Sequence, residues 1–162
     1  RHRIPLVATL ILMFLFYMPI NSLELNYFRP SMGFICVYYW TLKRGYMFSY
    51  ISAFIVGFLM DTYSSTPLGI NILIMMLLVS TADLLARYFK AASFVSGWLV
   101  FSLAGFVLTL VKWLLVSAYF SQVISMMEIM VNLLSTIMFY PLISYINTWV
   151  QNNLLLQERI NE

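Results

Sequence analysis

The sequence is poor in the residues that build most catalytic and metal sites. Among its 162 residues there is one cysteine, Cys36, and one histidine, His2. A single cysteine excludes an internal disulfide framework and a site with several thiolate ligands. A single histidine excludes a histidine-rich zinc site, and its position before the first apolar segment also argues against a Ser–His–Asp triad. We therefore expect neither a bound metal nor a cofactor.

Charged residues are also scarce. They make up 9% of the chain, and hydrophobic residues make up 62%. A soluble domain has about 25% charged and about 45–50% apolar residues. This composition excludes a soluble globular domain, a disordered tail and a basic arm that binds nucleic acid. Six glycines and five prolines are too few for a flexible linker, so residues 1–162 are predicted to form a single domain.

The apolar residues fall into six segments. They lie at about residues 4–22, 30–42, 46–63, 68–86, 94–120 and 124–150, before a short polar tail at 151–162. A membrane-spanning helix needs about 20 apolar residues, and the runs lack the alternation of a membrane β-strand. The first segment is too long for the core of a signal peptide, so we interpret it as a retained anchor. The pattern predicts an all-α integral membrane protein with six transmembrane helices.

The second segment is short, and a re-entrant or interfacial piece is the alternative to a span. Cytoplasmic loops of membrane proteins carry an excess of lysine and arginine. Six spans with both termini in the cytoplasm place the following basic residues inside: Arg1, Arg3, Lys43, Arg44, Arg87, Lys90 and Arg159. Only Arg29 then lies outside, whereas a re-entrant segment moves four of those residues out. We therefore predict six spans, with the second helix extending back through Pro30 or crossing a locally thin bilayer.

Segment three carries a stripe of small residues that ends in a carboxylate. Ser49, Ala53, Gly57 and Asp61 follow one another at four-residue spacing. Small residues at this spacing let helix backbones approach closely. The stripe predicts either packing within the chain or contact with a partner helix.

Three ionisable residues lie within predicted spans, namely Asp61, Lys112 and Glu128. Charges are costly in a bilayer, so each suggests a function or a partner. Lys112 is expected to pair with Asp61 or Glu128, and Asp61 alternatively accepts hydrogen bonds from the loop that follows it. Three functions remain open for these charged residues: an ion pair that fixes helix packing, a substrate or proton site, or a contact with a partner.

No set of catalytic residues is present in the sequence. A membrane zinc protease and a serine protease both need histidines, which the predicted spans lack. An aspartyl protease needs two aspartates at one depth, but Asp83 and Asp61 are expected near opposite sides of the membrane. Glycine-rich phosphate-binding loops are absent as well. We therefore predict that the protein is not an enzyme.

Short motifs between residues 28 and 70 resemble a known family. In order, they are Phe28-Arg29-Pro30, Tyr39-Trp40, Gly57 four residues before Asp61, and Ser64 followed by Pro67-Leu68-Gly69. This order is similar to that of MreD, a family of rod shape-determining membrane proteins. The resemblance assigns a partner-binding or structural motif to Arg29, Pro30, Trp40, Gly57, Asp61, Pro67 and Gly69.

The resemblance implies a non-enzymatic component of the bacterial inner membrane that acts in cell elongation. Its expected partners are MreC above all, then MreB and the RodA–transpeptidase synthase, with membrane lipid around it and no nucleic acid. The family is also distantly similar to the S-components of energy-coupling-factor transporters, so a substrate-binding component of a vitamin transporter is the alternative. Those components dock through small residues on the first helix, whereas here Leu12, Phe16 and Ile20 follow Ala8 at four-residue spacing. This difference favours the shape-determining function. The transport alternative stays open, because an S-component needs polar groups that converge on an outward pocket, and the candidates for it are Asp61, Lys112, Glu128 and Asn132.

Overall fold

The computed structural model of the protein describes residues 3–17, 30–44, 48–64, 66–88, 94–121 and 125–152. Within these ranges six α-helices occur and no strand. They are α1 (Arg3–Tyr17), α2 (Met32–Arg44), α3 (Tyr50–Tyr63), α4 (Ile70–Tyr88), α5 (Phe94–Phe120) and α6 (Met126–Val150). The predicted all-helical class and the number of helices are confirmed.

Two of the helices are long and apolar enough to cross a membrane, α5 with 27 residues and α6 with 25. Helices α1, α3 and α4 contain shorter apolar stretches. Large apolar side chains also point outward, among them Ile51 on α3, Leu103 on α5 and Met138 on α6. An extensive exposed apolar surface is unfavourable in water and is typical of proteins that are surrounded by lipid.

The short helix α2 lies at the centre of the bundle. Residues 32–41 are all buried, and α2 packs against α1, α4 and α6. A helix that is apolar on all sides is stable only where other elements surround it. The neighbouring helices therefore cover α2 over most of its length. The prediction that Pro30 lies in its first turn is wrong, because α2 begins at Met32.

The start of α2 is held by side chains of α6. The backbone N–H of Ser31 donates to Oγ1 of Thr136 at 3.0 Å, and the Ser31 hydroxyl donates to Oδ1 of Asn132 at 3.2 Å. The first N–H groups of a helix have no partner within the helix, so polar side chains commonly bind near its start. These two hydrogen bonds fix the position of α2 along the axis of α6.

Aromatic rings fill the space between α2, α5 and α6. Phe101 and Tyr140 stack with their centroids 4.5 Å apart, and Tyr38 lies 5.0 Å from Phe101. The hydroxyl of Tyr38 donates to the carbonyl oxygen of Gly97 at 3.1 Å. Gly105, also on α5, is buried near Phe34 and Leu133. Small residues on α5 thus let large rings of α2 and α6 pack against it.

Candidate functional site

Helices α3 and α4 cross in backbone contact at Gly57. A Cβ atom built on Gly57 would lie 2.6 Å from Cα of Ile72 and 3.0 Å from the carbonyl oxygen of Asn71. Ala53 and Asp61 are buried on the same helix, whereas Ser49 is exposed. From Ala53 onward, the stripe of small residues therefore serves packing within the chain.

The carboxylate of Asp61 binds the start of α4. Its Oδ2 atom accepts the N–H of Gly69 at 2.8 Å, and its Oδ1 atom accepts the N–H of Asn71 at 3.0 Å. The hydroxyl of Thr66 lies 3.4 Å from Oδ1, and the side-chain amide of Asn71 donates to that hydroxyl at 3.0 Å. A negative charge at a helix N-terminus is also favoured by the helix dipole. Of the two arrangements expected for Asp61, the structure shows hydrogen bonding to the loop.

The loop between the two helices needs a particular backbone conformation. Gly69 has a φ of 105°, which a residue with a Cβ atom rarely adopts. The carbonyl oxygen of Pro67 accepts the N–H of Ile70 at 3.4 Å, and that of Gly69 accepts the N–H of Leu73 at 3.0 Å. Gly57, Asp61, Pro67 and Gly69 thus belong to one structural unit, the α3–α4 hairpin (residues 50–88).

A cavity of about 320 Å³ lies beside the Asp61 end of this hairpin. Helices α2, α3, α4, α5 and α6 all contribute to its wall. Its apolar lining includes Phe34, Met60, Ile74, Met75, Leu108, Ile129 and Leu133. Its polar lining includes Ser31, Tyr63, Ser64, Asn71, Thr109, Lys112, Glu128, Asn132 and Thr136. The cavity therefore combines an apolar wall with two side chains of opposite charge.

The two charged residues of the cavity differ in their surroundings. Lys112 is half-buried on α5, and Glu128 is exposed in the first turn of α6. Asp61 attracts the Lys112 ammonium electrostatically. Within the described part of the chain, however, Lys112 has no direct ion pair with Asp61 or Glu128 and no hydrogen bond. The expected pairing of Lys112 is therefore not found among these residues.

The remaining motif residues lie apart from the cavity or outside the described ranges. Trp40 is fully buried in α2, edge-on to Tyr39 with 5.5 Å between the ring centroids. It is six residues along α2 from the cavity residue Phe34, a distance of roughly 9 Å at the helical rise. Pro30 precedes α2, and its carbonyl oxygen accepts the N–H of Met32. Arg29 lies outside the described residues.

Sequence reasoning missed the link between α2 and α6 at the cavity. The signal for it is the polar pair Asn132 and Thr136, four residues apart in an otherwise apolar helix. Such a pair lies on one helix face and needs polar partners in a buried setting. Ser31 supplies them, which places three polar residues in the cavity wall. No group of three or more metal-ligating side chains occurs in the part of the chain that the structure describes.

The family model described as rod shape-determining protein MreD matches residues 3–148 of the 162-residue chain. The chain belongs to the MreD family. The matched range contains the α3–α4 hairpin and the whole cavity wall, so both belong to the MreD domain. MreD is a family of shape-determining membrane proteins and not a known enzyme family. Comparisons with curated proteins and with solved structures gave no match.

Proposed function

We propose that this MreD-family protein is a non-enzymatic component of the cell-elongation complex in the bacterial inner membrane. In this function it holds MreC and acts with MreB and the RodA–transpeptidase synthase to maintain rod shape. The observation that carries the proposal is the family match over residues 3–148. The α3–α4 hairpin supports it, because backbone contact at Gly57 and the bonds of Asp61 make a rigid surface suited to a partner.

The proposal includes six spans with both termini in the cytoplasm. Its support is the placement of lysine and arginine, together with the packing of α2 between α1, α4 and α6, which carry exposed apolar side chains. Cysteine at Ser125 should then react with an impermeant maleimide added outside the cell, and cysteine at Asn152 should not. Both positions are exposed, whereas the native Cys36 is fully buried and should stay unlabelled in each variant. External labelling at Asn152 would contradict the topology.

Loss of the protein from a rod-shaped host tests its function. Depleted cells should become round, and the wild-type chain should restore the rods. Affinity purification in mild detergent should recover MreC, together with the filament and synthase proteins. Cells that stay rod-shaped without the protein would contradict the proposal.

The transport alternative predicts different partners and a different phenotype. The exposed positions of α1 include Val7, Ile11 and Phe14, which are large rather than small. This face therefore lacks the small residues through which an S-component docks on its transport module. A transport component would co-purify with an ATPase module, and its loss would make cells dependent on an external vitamin without rounding them.

A further inference from the structure

Four polar residues of the cavity wall are already engaged in hydrogen bonds, namely Ser31, Asn71, Asn132 and Thr136. Asn71 donates to Thr66, Ser31 binds Asn132 and Thr136, and Thr136 also donates to the carbonyl oxygen of Asn132 at 2.7 Å. These bonds hold the wall in place without a ligand. Other lining groups remain for a ligand, and two of them lie on α5.

Two neighbouring side chains of α5 have no hydrogen bond among the described residues, although both line the cavity. They are Thr109 and Lys112, which stand three residues apart and so lie on the same face of the helix. Asp61, which attracts the Lys112 ammonium, already accepts hydrogen bonds from the N–H groups of Gly69 and Asn71. A half-buried ammonium without a paired anion is energetically costly. An anion that entered the cavity would find a positive charge and a hydroxyl side by side.

The rest of the cavity limits the kind of anion. Phe34, Met75 and Leu108 form an apolar wall, which favours a ligand with an apolar part. Glu128 lines the same cavity, and Asp61 lies close enough to Lys112 to attract it. Two negative charges near the site disfavour a multiply charged ligand. The volume of about 320 Å³ is at the lower end of the range of about 300–1,000 Å³ typical of small-molecule sites.

We propose that this cavity binds a singly anionic amphiphile, with its phosphodiester or carboxylate on Lys112 and Thr109 and its apolar part against Phe34, Met75 and Leu108. Binding is reversible and involves no chemical step. The proposal does not depend on a partner-binding role of the hairpin, so it stands even if the proposed function fails.

Native mass spectrometry of the full chain in detergent tests the proposal with phosphatidylglycerol, which carries one phosphodiester charge. Diacylglycerol with the same acyl chains lacks the phosphodiester, so it measures binding through the apolar part alone. The K112M variant should bind phosphatidylglycerol about tenfold or more weakly, the effect expected from losing one charged hydrogen bond. K43M is the matched control, because Lys43 is exposed at the far end of α2, and it should bind as the wild type does.

Two further variants make the test independent of the folding of K112M. T109V keeps the side-chain shape but lacks the hydroxyl, and it should also weaken phosphatidylglycerol binding. E128Q removes the competing negative charge and should bind the lipid as tightly as the wild type or more tightly. Equal binding of the two lipids, or unchanged binding in both K112M and T109V, would overturn the proposal. Inorganic phosphate that displaces the lipid at millimolar concentration would show a site for a water-soluble anion and overturn the amphiphile assignment.

Discussion

The indole N–H of Trp98 donates to the carbonyl oxygen of Ile137 at 3.1 Å. In a regular helix that oxygen would accept the N–H of the residue four positions later. Here that residue is Pro141, which has no N–H. Helix α5 thus supplies the donor that proline removes from α6, and the bond joins the two helices in the middle of α6.

Removing the indole N–H tests this relationship. Trp98→Phe should lower the free energy of unfolding by about 0.5–1.5 kcal/mol, the usual net value of one hydrogen bond. In a Pro141→Ala background the alanine N–H competes for the same oxygen, so the loss caused by Trp98→Phe should be smaller. Unfolding of the four proteins in mixed micelles measures this coupling. Equal losses in both backgrounds would show that Pro141 and Trp98 are independent.

The closeness of α3 and α4 is tested by adding one methyl group. Gly57→Ala should destabilise the protein by about 1–3 kcal/mol, because the new Cβ would meet backbone atoms that cannot move separately. Gly97→Ala is the matched control, since its Cβ would lie 3.8 Å from the nearest atom, in Leu42. The melting temperatures of both variants in detergent measure this difference. Similar melting temperatures would contradict the crossing at Gly57.

The role of Asp61 in fixing the hairpin predicts a loss of stability without its carboxylate. Asp61→Ala should lower the free energy of unfolding by about 1.5–3 kcal/mol, because it leaves the N–H groups of Gly69 and Asn71 without their charged acceptor. Glu128→Gln removes an exposed carboxylate of the same cavity region and should leave the melting temperature unchanged. If Asp61→Ala keeps full stability but no longer recovers MreC, Asp61 lies in the partner interface instead.

The hydroxyl of Tyr38 is predicted to contribute through its bond to Gly97. Tyr38→Phe keeps the ring in its aromatic cluster and removes only that bond, so a loss of about 0.5–1.5 kcal/mol is expected. Tyr145→Phe provides the comparison, because Tyr145 is 75% exposed on α6. Chemical unfolding of the two variants side by side gives the difference, and an equal effect would argue against the Tyr38 bond.

Local patterns in the sequence were enough to predict the helices and one face of α3. The runs of apolar residues mark α5 and α6 at nearly their observed limits, because membrane helices are encoded by local composition. The spacing of Ala53, Gly57 and Asp61 also indicated a buried stripe, and these three residues are buried. Both features depend on residues that are neighbours along one helix.

Contacts between distant residues were not predictable in the same way. Nothing near Lys112 in the sequence shows that Asp61 is taken up by the start of α4 rather than by the lysine. The central position of α2 likewise depends on three other helices, and its composition alone suggests only an unusually short span. Similarly, the bond from Trp98 to Ile137 follows from Pro141 only once α5 and α6 are known to be neighbours. These contacts depend on which helices are neighbours in the folded protein, and the pattern of residues along one sequence does not indicate that.

The central position of α2 has a consequence for synthesis of the chain. The hydroxyl of Tyr39 bonds to Thr148 and Gln151, which lie 109 and 112 residues later in the sequence. At about 5–20 residues per second, the ribosome needs on the order of ten seconds to reach them. During that time α2 lacks the helix that covers one of its sides, although α1 and α4 can already pack on it. The final environment of Tyr39 is therefore completed only when α6 has been synthesised.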